Sequence, residues 1–120
     1  MTDQSLELKS NLSQFTGSIE WYRHPINRKV LYTEGVQYFA EKAGAYWLLD
    51  IIATQPEILK QAQEFAYIKF LAHEDLSGNL SVEDGNGNVI YQKKIGFTDC
   101  PIGTWDFYFY TNTIMLPSEY

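Results

Sequence analysis

The sequence predicts an α+β domain, with three to four N-terminal helices packed on one face of a C-terminal antiparallel meander of about five strands. Three observations carry this expectation. The apolar spacing is helical up to about Ala62 and switches to a period of two from Phe65 onward. The run Asp84-Gly85-Asn86-Gly87-Asn88 separates two alternating segments, a strong hairpin signal. The 120 residues, 45% hydrophobic and 20% charged, suit one core, so residues 1–120 are read as a single domain.

In chain order, Ser5–Gln14 reads as a short amphipathic helix, with Leu8, Leu12 and Phe15 on one face and Thr16-Gly17 as its stop. Ser18–His24 reads as a strand or an extended arm, and Pro25 forces His24 out of the helical region. Lys29–Tyr32 is a second extended piece. Thr33 is placed to cap a helix bearing Val36, Ala40, Ala43 and Trp47 at helical spacing. Gly44 either caps that helix or lies inside a longer one, and a break is favoured. Ala45–Ala53 is apolar almost all round, the mark of a buried helix. Thr54-Gln55-Pro56-Glu57 fits a capping box with Thr54 as N-cap, opening a third helix whose inner face is Ile58, Leu59 and Ala62.

Period-two segments follow. Ala66, Ile68, Phe70 and Ala72 share one strand face, with Tyr67 and Leu71 opposite. Leu80 and Val82 alternate with Ser81 and Glu83 in a second strand, and Val89, Tyr91 and Ile95 mark a third. Thr98–Gly103 is a loop. Trp105, Phe107 and Phe109 alternate with Asp106, Tyr108 and Tyr110 in a fourth strand. Thr111-Asn112 turns into a short fifth, Ile114–Leu116.

Charge and composition narrow the function. Nine Lys and Arg against 15 Asp and Glu leave a net charge of −6, which argues against general nucleic-acid binding. The longest apolar stretch, Ala43–Ala53, is interrupted by Asp50 and is shorter than the ~20 residues of a membrane span. The start Met1-Thr2-Asp3-Gln4-Ser5 has no secretory pattern, and a single cysteine, Cys100, suits a reducing compartment, so a cytoplasmic protein is expected.

Arg23-His24-Pro25-Ile26-Asn27-Arg28, Leu31-Tyr32-Thr33-Glu34-Gly35-Val36, Ala43-Gly44-Ala45-Tyr46-Trp47-Leu48-Leu49-Asp50 and the tail Leu116-Pro117-Ser118-Glu119-Tyr120 resemble an uncharacterised family of small bacterial and phage or plasmid proteins, as does Phe97-Thr98-Asp99-x-Pro101. The resemblance runs from about Phe15 to the end. It implies a domain of unknown function and brings no catalytic residues with it. An apolar residue where Cys100 stands, and Asp-Gly where Asn112-Thr113 stands, would fit the family pattern better.

Several groups could carry chemistry. Arg23, His24 and Arg28, with Lys29 near them and Trp21 and Tyr22 beside them, form a candidate anion or ligand site: guanidinium forks match carboxylate or phosphate, and the rings could stack a base. The bland alternative is a braced loop. His24 and His73 are the only histidines and show no metal-ligand spacing, so no metal is expected. Asp84-x-Asn86-x-Asn88 begins like a calcium loop, then fails at Val89 and Ile95. Cys100, beside Asp99 and Pro101, reads as inert. No phosphate-loop or dinucleotide fingerprint occurs, so no cofactor is expected and the reading leans away from an enzyme.

The candidate interaction surface joins Tyr67, Tyr108 and Tyr110, on the sheet face opposite the core, to the acids Glu74, Asp75, Glu83 and Asp84. Together the acids would concentrate negative charge at one end of the sheet. The aromatic supply (3 Trp, 9 Tyr and 7 Phe) exceeds what one helical layer needs to cover. The sequence therefore points to a small binding or accessory module acting by protein–protein contact, with a homodimer or another protein as partner. The alternative is an anion- or nucleotide-binding protein built around Arg23, His24 and Arg28.

Overall fold

The computed structural model describes residues 3–16 and 20–120. Gly17, of the predicted helix stop, and Ser18 and Ile19, of the predicted arm, lie outside the described residues. The elements run α1 (Asp3–Leu12), β1 (Trp21–Arg23), β2 (Leu31–Thr33), α2 (Glu34–Ala43), α3 (Tyr46–Thr54), α4 (Pro56–Leu59), β3 (Ala66–Ala72), β4 (Gly78–Asp84), β5 (Val89–Ile95), β6 (Gly103–Tyr110) and β7 (Thr113–Met115), closing with a 3₁₀ turn at Pro117–Glu119.

The fold is α+β, but the sheet has seven strands rather than about five, in the order β1-β2-β7-β6-β3-β4-β5. The two additional strands come from the N-terminal half, where the segments read as extended pieces supply β1 and β2, which pair antiparallel around the Arg23–Lys29 segment and join the sheet. β2 then joins β7 in parallel, the one parallel pairing in the described sheet. Nor is the C-terminal half a simple meander. β6 returns to pair with β3, from Ala72↔Gly103 to Ala66↔Phe109, so β3, β4, β5 and β6 form a Greek key. Burial explains the choice. β6 buries Trp105, Phe107 and Phe109 and half-buries Tyr108 on its other side, which suits a central position. β5 carries exposed Gln92, Lys93 and Lys94 and suits an edge, where charge discourages pairing with stray strands. The crossover between them is pinned by the Thr98 amide, which donates to Leu76 O at 2.8 Å, and by Trp105 Nε1, which donates to Pro101 O at 2.8 Å.

The helices cover one face of the sheet. Thr33 caps α2 as expected, its hydroxyl accepting from the Val36 amide at 3.3 Å. Gly44 ends α2 in the left-handed region at φ 62°, so the helix does break there. α3 buries Leu48, Leu49, Ile52 and Ala53. The predicted capping box is corrected. Thr54 belongs to the end of α3, where its hydroxyl bonds back to Asp50 O at 2.6 Å, a bond Thr commonly makes one turn back inside a helix. Gln55 stands at the N-cap of α4 without a side-chain bond to the helix backbone, and α4 is a single turn. Phe39 of α2 packs against Trp105 and Phe107, with ring centroids 5.4 and 4.9 Å apart, while Trp47 meets Phe70 edge-on at 5.2 Å. Such contacts, with Ile52, Ile58 and Ile68 fully buried among them, make the core.

The β6–β7 connection is a two-residue turn with Thr111 at φ 48° and Asn112 at φ 60°, the primed geometry that matches strand twist. Asn tolerates this region, whereas a β-branched Thr is strained there. Thr111→Asn is therefore expected to raise stability by about 1 kcal/mol, a rise of roughly 5 °C in Tm for a domain of this size. Thermal unfolding followed by circular dichroism checks it, and an unchanged or lower Tm would show that the turn stores no strain.

Candidate functional site

The Arg23–Lys29 segment is built as a clamp. His24 is 1% exposed, and its Nδ1 accepts from the Ile26 and Asn27 amides at 3.2 and 3.1 Å. Two donors at Nδ1 place the ring proton on Nε2, which donates to Asp50 Oδ1 at 2.8 Å. Asn27 Nδ2 donates to Ala53 O at 2.8 Å, so His24 and Asn27 together tie the β1–β2 loop to α3. Arg23 Nη1 donates to the Arg28 carbonyl. Both ring nitrogens of His24 are thus committed to the protein itself.

The five residues of the candidate anion site do not converge. Residues alternate across β1, so Trp21 and Arg23 lie on one face of the sheet. Tyr22 lies on the other, stacked on Tyr32 with centroids 5.6 Å apart, and His24 is buried under α3. Arg28 is exposed at the loop tip. The acids are similarly divided. Glu74 and Asp75 sit in the β3–β4 turn and Glu83 and Asp84 at the far end of β4, roughly 20 Å away along seven residues of strand, so the four do not make one field. Asp84 organises its turn instead. Its Oδ1 accepts from the Asn88 and Asn86 amides at 3.0 and 2.8 Å and its Oδ2 from Asn88 Nδ2, bonds that hold its carboxyl below the usual carboxylate range. Ser77, through its hydroxyl and then its amide, does the same for Asp75. Cys100 is buried, and burial pushes its thiol up to about 12. Among the described residues, no group of three or more His, Cys, Asp and Glu is placed to hold a metal ion, and no helix is long and apolar enough to cross a membrane.

What the fold does bring together is the sheet face away from the helices. Tyr67, Lys69 and Leu71 of β3 stand there beside Tyr108, Asp106 and Thr104 of β6. The Tyr67 hydroxyl donates to Asp106 Oδ1 at 2.8 Å, and burial, reinforced by that bond, pushes Tyr67 up to about 12. Tyr120 folds back onto this face, its ring 5.2 Å from Tyr108, 5.7 Å from Tyr110 and 5.8 Å from Phe65. Beside it lies a groove of 640 Å³ with Trp21 on one side, Tyr110 and Tyr120 on the other, and Leu31, Thr113 and Met115 among its lining. Trp21 is 55% exposed and Tyr120 66%. Sequence reasoning located Tyr67, Tyr108 and Tyr110 through their alternation, and named Trp21 for a different site. It missed Leu31 and Met115, which lie on three-residue strands too short to show a period, and Tyr120, which follows a turn and has no pattern at all.

Fold and face together define a small α+β domain with a one-sided helical layer and an open aromatic sheet surface. The chain belongs to the Family of unknown function (DUF6876), matched over residues 6–120. No curated protein and no solved structure matches it.

Proposed function

We propose that this is a binding module that works through protein–protein contact at the open face of its sheet, as a small cytosolic accessory protein. One observation carries the reading: Trp21, Leu31, Tyr108, Tyr110, Met115 and Tyr120 make a contiguous, partly exposed apolar and aromatic surface, while the helices all serve the other face. Contiguous patches of this kind on soluble domains commonly mark interaction sites, and Trp and Tyr dominate the energetics of such contacts. The mobile-element association implied by the sequence resemblance fits an accessory role. The anion-binding alternative has less support, because Trp21 and Arg23 face away from Tyr22 and His24.

The test is photo-crosslinking in cells with Tyr110→p-benzoylphenylalanine, and Glu41→p-benzoylphenylalanine on exposed α2 as the comparison. A discrete protein adduct at position 110, absent at 41, is expected. Equal or no adduct formation at 110 would overturn the reading.

A further inference from the structure

We infer that the occupant of the open face is a second copy of this chain, packed sheet on sheet about a two-fold axis that runs along the strands. The inference rests on the protein-contact reading and adds the identity of the partner. Exposed sheet faces find cover against other sheets in aligned packing, with the strands inclined by about 30°. An isologous contact requires that the surface complement itself, and the charge layout of this face does so.

The registers place Arg23 level with Leu31 and Thr113, and Ala66 level with Asp84 and Phe109. The basic loop Arg23–Lys29 and Glu83 of β4, which stands on the open face across from Tyr67, therefore lie at the same end of the strands but on opposite sides of the sheet. A two-fold axis along central β6 exchanges the two sides and keeps the ends level. It lays β1 over β5 of the second copy and β2 over its β4. Arg28 and Lys29 then approach Glu83, twice per dimer by symmetry. Trp21 and Val89, both large exposed hydrophobics and on the same level through Thr33 and Glu83, come together at the flanks.

The middle of the face is suited to burial. Its central carboxylate, Asp106, already accepts from the Tyr67 hydroxyl and has Lys69, of opposite charge, as its cross-strand neighbour. The charges that approach across the contact, Arg28 and Lys29 against Glu83, lie at the rim, where interfaces are usually polar. Seven strands at their ordinary spacing give a footprint of roughly 600 Å² per copy, short of the ~800 Å² of a standard partner surface, which sets the dimer in the weak, concentration-dependent class.

Analytical ultracentrifugation of the full chain from micromolar to millimolar concentration tests this. The mass should rise from 13.9 kDa toward twice that value. Arg28→Glu with Lys29→Glu, and separately Glu83→Lys, lie on exposed or half-exposed positions that leave the core intact, and each should weaken the dimer about tenfold at low salt. An equimolar mixture of the two variants restores both opposite-charge contacts and should dimerise as the native chain does. A mass fixed at 13.9 kDa, or a dimer indifferent to both charge reversals, would overturn the inference. A crosslinked adduct at position 110 whose mass is not that of two chains would overturn the second copy while leaving the contact reading standing. No adduct there would remove both.

Discussion

His24→Ala is expected to cost about 3 kcal/mol of folding stability, read as a drop in the urea midpoint with unchanged slope. Three terms act in the same direction. The Ile26 and Asn27 amides lose their common acceptor, Nδ1, under a ring that is 1% exposed. Buried amides left unsatisfied are costly because water cannot take the place of the lost partner. The bond from Nε2 to Asp50 goes as well, and the ring leaves a void between the β1–β2 loop and α3. The comparison variant is Asp50→Ala. Its carboxylate is 53% exposed, so losing that end of the bond should cost only about 1 kcal/mol. A His24→Ala cost no larger than that of Asp50→Ala would show that the amide clamp at Nδ1 contributes nothing, and that this loop is held by its surroundings alone.

The same clamp shows where sequence reasoning reached and where it stopped. Alternation along Ala66–Ala72 and Trp105–Tyr110 marked which side chains face the core, because a period of two is a local property of extended chain. Thr33 and Gly44 were legible as helix ends for a similar local reason. Alternation says nothing about which strand lies alongside, so the return of β6 to β3 was not visible. Three-residue strands carry too few positions to show a period, so β1 and β2 were readable only as extended pieces and β7 only as a short strand after a turn, and the groove they line was not visible. Nearness in sequence misled with the acids, since Asp75 and Glu83 are separated by most of an extended strand. Of the candidate sites, the tyrosines of the open face were readable. The division of Trp21, Tyr22, Arg23 and His24 between two faces depends on β1 being a strand, and that strand was only one of two readings of its segment.

The tail offers the second large effect. Glu119→Ala is expected to cost about 2–3 kcal/mol. The Glu119 carboxylate accepts from the Thr33 hydroxyl at 2.6 Å and the Leu116 amide at 3.0 Å through Oε1, and from the Gly35 amide at 3.3 Å through Oε2. Thr33 in turn accepts from Val36, so the last turn of the chain completes the N-terminal cap of α2 from 86 residues away in sequence. A carboxylate at this position satisfies amides that the helix cannot, and its charge complements the helix dipole. The space is close-fitting: a Cβ on Gly35 would stand 2.5 Å from Leu116 Cδ1 and 2.8 Å from Glu119 Oε1. The N-terminus of α2 is thus an anion site already filled by the protein's own carboxylate. Glu119→Gln keeps one acceptor and should recover about half of the loss. The alanine variant should also release Tyr120 from Tyr108 and Tyr110, seen as weakened tyrosine signal in near-ultraviolet circular dichroism while the far-ultraviolet spectrum holds. If stability and tyrosine signal both survive Glu119→Ala, the tail does not anchor α2. Tyr120 would then be held on the open face by its ring contacts alone, and the wall it forms beside the Trp21 groove would not depend on the carboxylate beside it.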